Sequence, residues 1–109
     1  MRSFLVILFV VASSSAFAAN HCDQYAGNNR YLKAIQTVAL YQNYTFEELC
    51  TNARLLTIEV QPNRQIKPDF GGTEIPAVRV DLHSGYQTCS YTVIDADQSI
   101  VNAHCYSGF

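Results

Sequence analysis

The spacing of apolar residues changes character once along the chain. In RYLKAIQTVALYQ, residues 30–42, Tyr31, Ile35, Val38 and Gln42 mark one edge of a stripe. Leu32, Ala39 and Leu40 broaden it, and Arg30, Lys33 and Gln36 fall outside. This spacing predicts a helix, with Asn28 or Asn29 as its cap because a short polar side chain accepts from the free amides of a helix start. Thr45 followed three residues later by Glu48 fits a capping box, so a second, short helix is expected over 46–52.

Beyond that point the period falls to two. Leu56, Ile58 and Val60 alternate with Thr57 and Glu59, and Gln61, Pro62 and Asn63 are expected to end the strand. Val78, Val80 and Leu82 alternate with Arg79, Asp81 and His83. One apolar and one wet face per strand is the mark of an antiparallel sheet covered on one side. Between these strands, NRQIKPDFGGTEIP holds two prolines and two glycines and reads as a long irregular loop.

The last two strands fix their own register. A three-residue loop at 96–98 makes each facing pair sum to 194. Cys89, Tyr91, Val93, Val101, Ala103 and Cys105 then share one face. Thr88, Ser90, Thr92, Asn102, His104 and Tyr106 share the other. Cys89 lands opposite Cys105, and a slip by one residue would undo both agreements. The pair is therefore expected as a cross-strand disulfide. Four cysteines allow three connectivities, and elimination leaves Cys22 with Cys50.

The first residues change the compartment. MRSFLVILFVVASSSAFA has a basic residue, an apolar run too short to span a bilayer, and an A-x-A end, the layout of a secretory signal peptide over 1–18. Residues 19–109 are then a single secreted disulfide-bonded domain, where an even cysteine count reads as bridges. Losing Arg2 leaves six basic residues against nine acidic ones, a net charge of −3. No basic run appears, so neither nucleic acid nor a membrane surface is an expected partner.

Candidate chemistry is thin. His21, His83 and His104 are scattered and no C-x-x-C pair occurs, so no metal site and no cofactor are expected. Ser90 opposite His104 has the residue types of a nucleophilic dyad, with Asp81 near enough to orient the imidazole. A flat strand face offers neither pocket nor oxyanion hole, so no catalytic residue is assigned. Asp95 and Asp97 read as turn residues. Asn43-Tyr44-Thr45 is a glycosylation sequon whose occupancy depends on the source. Seven tyrosines suit an interface; Tyr31 and Tyr91 are expected in the core, Tyr25, Tyr86 and Tyr106 at the surface.

A helix followed by four antiparallel strands, with cysteines joined across the final hairpin, resembles the cystatin layout. The resemblance covers 29–105 and is carried by AVRVDLHSGYQTCSYTVIDADQSIVNAHC. It implies a helix packed on a four-stranded sheet. The inhibitory Q-x-V-x-G motif of that family is absent: QTVAL, residues 36–40, lies in the helix and has Leu40 in place of glycine. The same element order also resembles small periplasmic immunity proteins of the colicin M inhibitor type.

The expectation is an α+β domain that binds a protein partner, either an enzyme that it inhibits or a toxin that it neutralises, without catalysis. Two surfaces are candidates. One is the loop at 63–73 with Phe70 at its tip. The other is the outer sheet face, with Arg79, Asp81, His83, Asn102 and His104. The alternative is a small secreted enzyme or sugar-binding module, which would require a pocket holding Asp or His.

Overall fold

A computed structural model describes residues 20–67 and 71–107. The expected signal peptide and Phe70 lie outside the described residues. The elements are helices α1 (Asn29–Tyr41) and α2 (Phe46–Cys50), then strands β1 (Leu55–Lys67), β2 (Thr73–Ser84), β3 (Gln87–Ile94) and β4 (Ile100–Ser107). The strands form an antiparallel meander in the order β1-β2-β3-β4.

Asn28 caps α1, its side chain accepting from the Tyr31 amide. Ala34, Ile35, Val38 and Ala39 are its buried face. They pack with Ile58, Val60, Val78, Val80, Leu82, Tyr91 and Val93 in one core. Leu40, expected to widen the stripe, is 67% exposed. Two residues past Val38 is about 200° around a helix, so it points away from the sheet. The helix stops at Asn43, which has φ of 65°. The Tyr44 amide reaches the Ala39 carbonyl (2.8 Å) and the Asn43 amide that of Leu40 (3.0 Å), a Schellman closure with asparagine in the usual place of glycine. The capping box of α2 is present as expected: the Thr45 hydroxyl accepts from the Glu48 amide, and the Glu48 carboxylate from the Thr45 amide.

Both disulfides are formed as expected, Cys89–Cys105 from the strand register and Cys22–Cys50 from elimination. The first ties the N-terminal loop beside β1. There Tyr25, expected at the surface, is half-buried. Its hydroxyl donates to the Ile58 carbonyl (2.8 Å) and accepts from the Val60 amide (2.9 Å). It thus covers backbone groups of β1, whose other neighbour is β2, and blocks part of an edge that would otherwise template further strands.

Three strand expectations need correction. Leu56 is 70% exposed, because a register shift between Leu55 and Thr57 turns it outward and Leu55 packs against the core instead. β1 does not end at Pro62. Pro62 pairs with Val78, and the ladder runs on to Lys67 opposite Thr73. A proline is tolerated there because an edge strand can leave one N–H position unpaired. Since β2 meets β3 only as far as Ala77 opposite Ile94, the pairs from Arg64↔Pro76 to Lys67↔Thr73 form a two-stranded arm. The segment expected to be irregular is mostly this arm.

The third correction concerns the β3–β4 turn. Cys89↔Cys105, Ser90↔His104, Tyr91↔Ala103 and Thr92↔Asn102 pair as expected, but Val93 meets Ile100. The loop has four residues, 95–98, closed by the Ile94 amide on the Ser99 carbonyl (2.9 Å). Val101 is the extra residue that absorbs the difference, and it is exposed rather than buried. The helix side of β4 lies beyond the reach of α1, which packs on β2 and β3, so Ala103 and Cys105 are also exposed.

The loop is tied down at both ends. Arg30 donates from Nε to Asp95 (2.6 Å) and from Nη2 to the Ala77 carbonyl (3.0 Å). Asp97 accepts from the amide and hydroxyl of Ser99. Both aspartates therefore serve the turn, as expected.

Candidate functional site

The face of the sheet turned away from α1 is a grid set by the three pairings. Across the strands from β1 to β4 its rows are Gln61, Arg79, Thr92, Asn102; then Glu59, Asp81, Ser90, His104; then Thr57, His83, Thr88, Tyr106. Period-two alternation puts these residues on one face, and the register aligns them.

The centre of this face is not wet. Asp81 is 2% exposed, and Thr88, Ser90 and Thr92 are buried too. This corrects the expectation of a fully solvated face. The reason is size: β3 contributes only Thr, Ser and Thr here, and longer side chains from the flanking strands stand over them.

Arg79 donates from Nε to Asp81 Oδ1 (3.1 Å). That hydrogen bond, and then the aspartate's charge, hold the guanidinium above its ordinary acidity range. Arg79 and Asp81 are two apart on one strand, so alternation alone brings them together. On the other side, His83 bonds through Nδ1 to the Thr88 hydroxyl and through Nε2 to Glu59, both at 2.9 Å. His104 stacks on Tyr106 with ring centroids 5.8 Å apart.

Between these groups lies a groove of about 210 Å³, lined by Asn63, Arg79, Ser90, Thr92, Asn102, His104 and Tyr106. Of the residues singled out from the sequence, Arg79, Asn102 and His104 meet at this groove, and Asp81 supports it through Arg79. His83 faces Glu59 and Thr88 instead. Asn63, Ser90, Thr92 and Tyr106 were not foreseen as lining residues. Finding them needed the β2–β3 register, which no disulfide or turn signal sets.

Two chemical possibilities can be weighed on this geometry. Ser90 Oγ is buried and, among the described residues, has no hydrogen-bond partner. The Ser–His hydrogen bond of a nucleophilic dyad is therefore not made. Glu59, Asp81 and His83 each bring one donor atom within 4.8 Å of the others. Yet both nitrogens of His83 are engaged and a guanidinium sits on Asp81, so a cation would have to displace a hydrogen bond of His83 and compete with Arg79 for the carboxylate. The sequence reading missed Glu59 as a neighbour because it lies on a different strand, 22 positions before Asp81.

No family model, curated protein or solved structure matches the chain. Among the described residues no helix is long and apolar enough to cross a membrane.

Proposed function

We propose that this is a small secreted binding protein without catalysis, which captures a protein target, an enzyme that it inhibits or a toxin that it neutralises, through the β1–β2 arm. The observation that carries the reading is the arm itself. Isolated two-stranded ribbons are marginal in water, because they have only one neighbour to pack on. This one extends past the end of the β2–β3 ladder and carries Ile66 at 56% exposure. Among the described residues, none of its positions 64–67 and 73–76 belongs to the core cluster. An extended ribbon can contribute both side chains and strand edges to a partner. Export is supported by the signal-like start and by two disulfides, which persist in oxidising compartments. The unmade Ser90–His104 bond favours binding over hydrolysis.

The test compares two baits in the secretory fluid or envelope fraction of the source. One is the mature domain. The other has 64–76 replaced by Asn-Gly, a two-residue hairpin turn that joins Asn63 to Ala77. A protein retained by the first and lost by the second supports the reading, provided the trimmed domain keeps both disulfides and its near-ultraviolet circular dichroism. Equal retention by both, or none by either, refutes it.

A further inference from the structure

We infer that the outer-face groove between β2 and β4 is a binding site for a small oxyanion, a carboxylate or a phosphate. The inference stands apart from the arm and from any protein target.

Three observations converge on it. The first is the buried, unpartnered hydroxyl of Ser90, which lines the groove at 6% exposure. Buried polar groups in folded proteins are overwhelmingly satisfied, and an orphan in the wall of a groove leaves a donor for a group that enters it. The second is Arg79. Its Nε is taken by Asp81, and among the described residues no hydrogen bond reaches its two terminal amino groups. Asp81, buried beneath it, orients the guanidinium and leaves the end of the fork facing outward. That planar pair of donors matches two oxygens of one oxyanion.

The third is the composition of the lining. Besides Arg79 it offers hydroxyls from Ser90, Thr92 and Tyr106 and side-chain amides from Asn63 and Asn102. All can donate. No carboxylate lines the groove among the described residues, so its wall presents no like charge to an anion. The cavity, about 210 Å³, is below the range of drug-sized sites and suits one compact group. Because Asp81 offsets the charge of Arg79, attraction at a distance is small. Selection then rests on hydrogen bonds made at contact, and affinity is modest.

The test is a ¹⁵N-resolved NMR titration of the mature domain with sodium acetate and, separately, sodium phosphate, at constant pH and constant ionic strength, with chloride as the control salt. Expected is saturable movement of the Ser90, Thr92 and Asn102 amides with an apparent Kd of about 10 mM or tighter, within reach of so few ligand atoms. Saturation by acetate assigns the site to carboxylates, and by phosphate to phosphates. Arg79→Gln should weaken binding at least tenfold, and Ser90→Ala about fivefold, the size of one neutral hydrogen bond. Since Arg79→Gln leaves Asp81 buried without its partner, Asn102→Leu, at an exposed position, serves as the second variant and should weaken binding about fivefold. Movement that is linear, equal in chloride, or unchanged in these variants overturns the assignment.

Discussion

Removing one oxygen tests how the N-terminal loop supports the sheet. Tyr25→Phe deletes the hydroxyl that donates to the Ile58 carbonyl and accepts from the Val60 amide. A typical intramolecular hydrogen bond contributes about 0.5–1.5 kcal/mol net. Gln24 also reaches the Ile58 carbonyl, at 3.3 Å, so that acceptor keeps a partner. The Val60 amide does not. The expected loss is about 1–2 kcal/mol, which for a domain of this size lowers Tm by about 5–15 °C. The ring stays in place, edge-on to Tyr31 at 5.8 Å, so the packing contribution is retained.

The same variant has a pH signature. Burial holds the Tyr25 hydroxyl above its ordinary pKa of 10.0, against the opposing hydrogen bond from Val60; burial does the same for Tyr91, opposed by its bond from Gln42. A raised folded-state value contributes stability that is complete below pH 10 and is lost as pH climbs from 10 towards that value. The parent's Tm should therefore fall above pH 10, and Tyr25→Phe should fall less steeply. Differential scanning calorimetry from pH 7 to 11.5, with amide exchange read at Val60, measures both effects. A Tm change under 2 °C at neutral pH together with unchanged Val60 exchange would refute this account of the β1 edge.

Other outcomes follow from the same geometry. Replacing Cys89 and Cys105 together by alanine should cost about 3 kcal/mol by denaturant unfolding, since the bridge closes a loop of sequence separation 16. Asn43→Gly should stabilise by a few tenths of a kcal/mol or more, and Asn43→Ala should destabilise by about 1 kcal/mol, because φ of 65° at the end of α1 suits glycine best; thermal melts of the pair decide. Ser90→Ala should be neutral or stabilising by about 1 kcal/mol in unliganded protein, since it removes a buried hydroxyl that has no partner. Ile66→Glu should leave Tm within 2 °C while reducing retention of the arm-dependent partner severalfold, as expected of an exposed anchor.

What the chain discloses by itself depends on how local the signal is. The capping box needed only Thr45 and Glu48, and the β3–β4 register only two cysteines and an alternating pattern between them. The helix face was readable from Ile35 and Val38, though Leu40 was placed on the wrong side of it. Non-local geometry was not readable. Pro62 looks like a strand terminator until β1 is known to be an edge. Val101 looks inward until a four-residue loop adds one position. Asp81 looks exposed until Ser90 and Thr92 are known to lie beside it, because their small size lets longer neighbours close over the row. The groove inherits this difficulty: its residues come from all four strands, and only the β2–β3 pairing, unmarked by any motif, brings Arg79 beside Thr92.

The groove, the buried aspartate and the orphan hydroxyl all depend on β4 pairing with β3 so that Ser90 lies between Asp81 and His104. Cross-strand Hα–Hα nuclear Overhauser contacts measure that pairing directly. Contacts are expected for Cys89–Cys105, whose Cα atoms are 3.9 Å apart, and for Tyr91–Ala103 two pairs on. Contacts displaced by one residue, such as Ser90–Cys105, would contradict it, because every side chain of β4 would then belong to the opposite face.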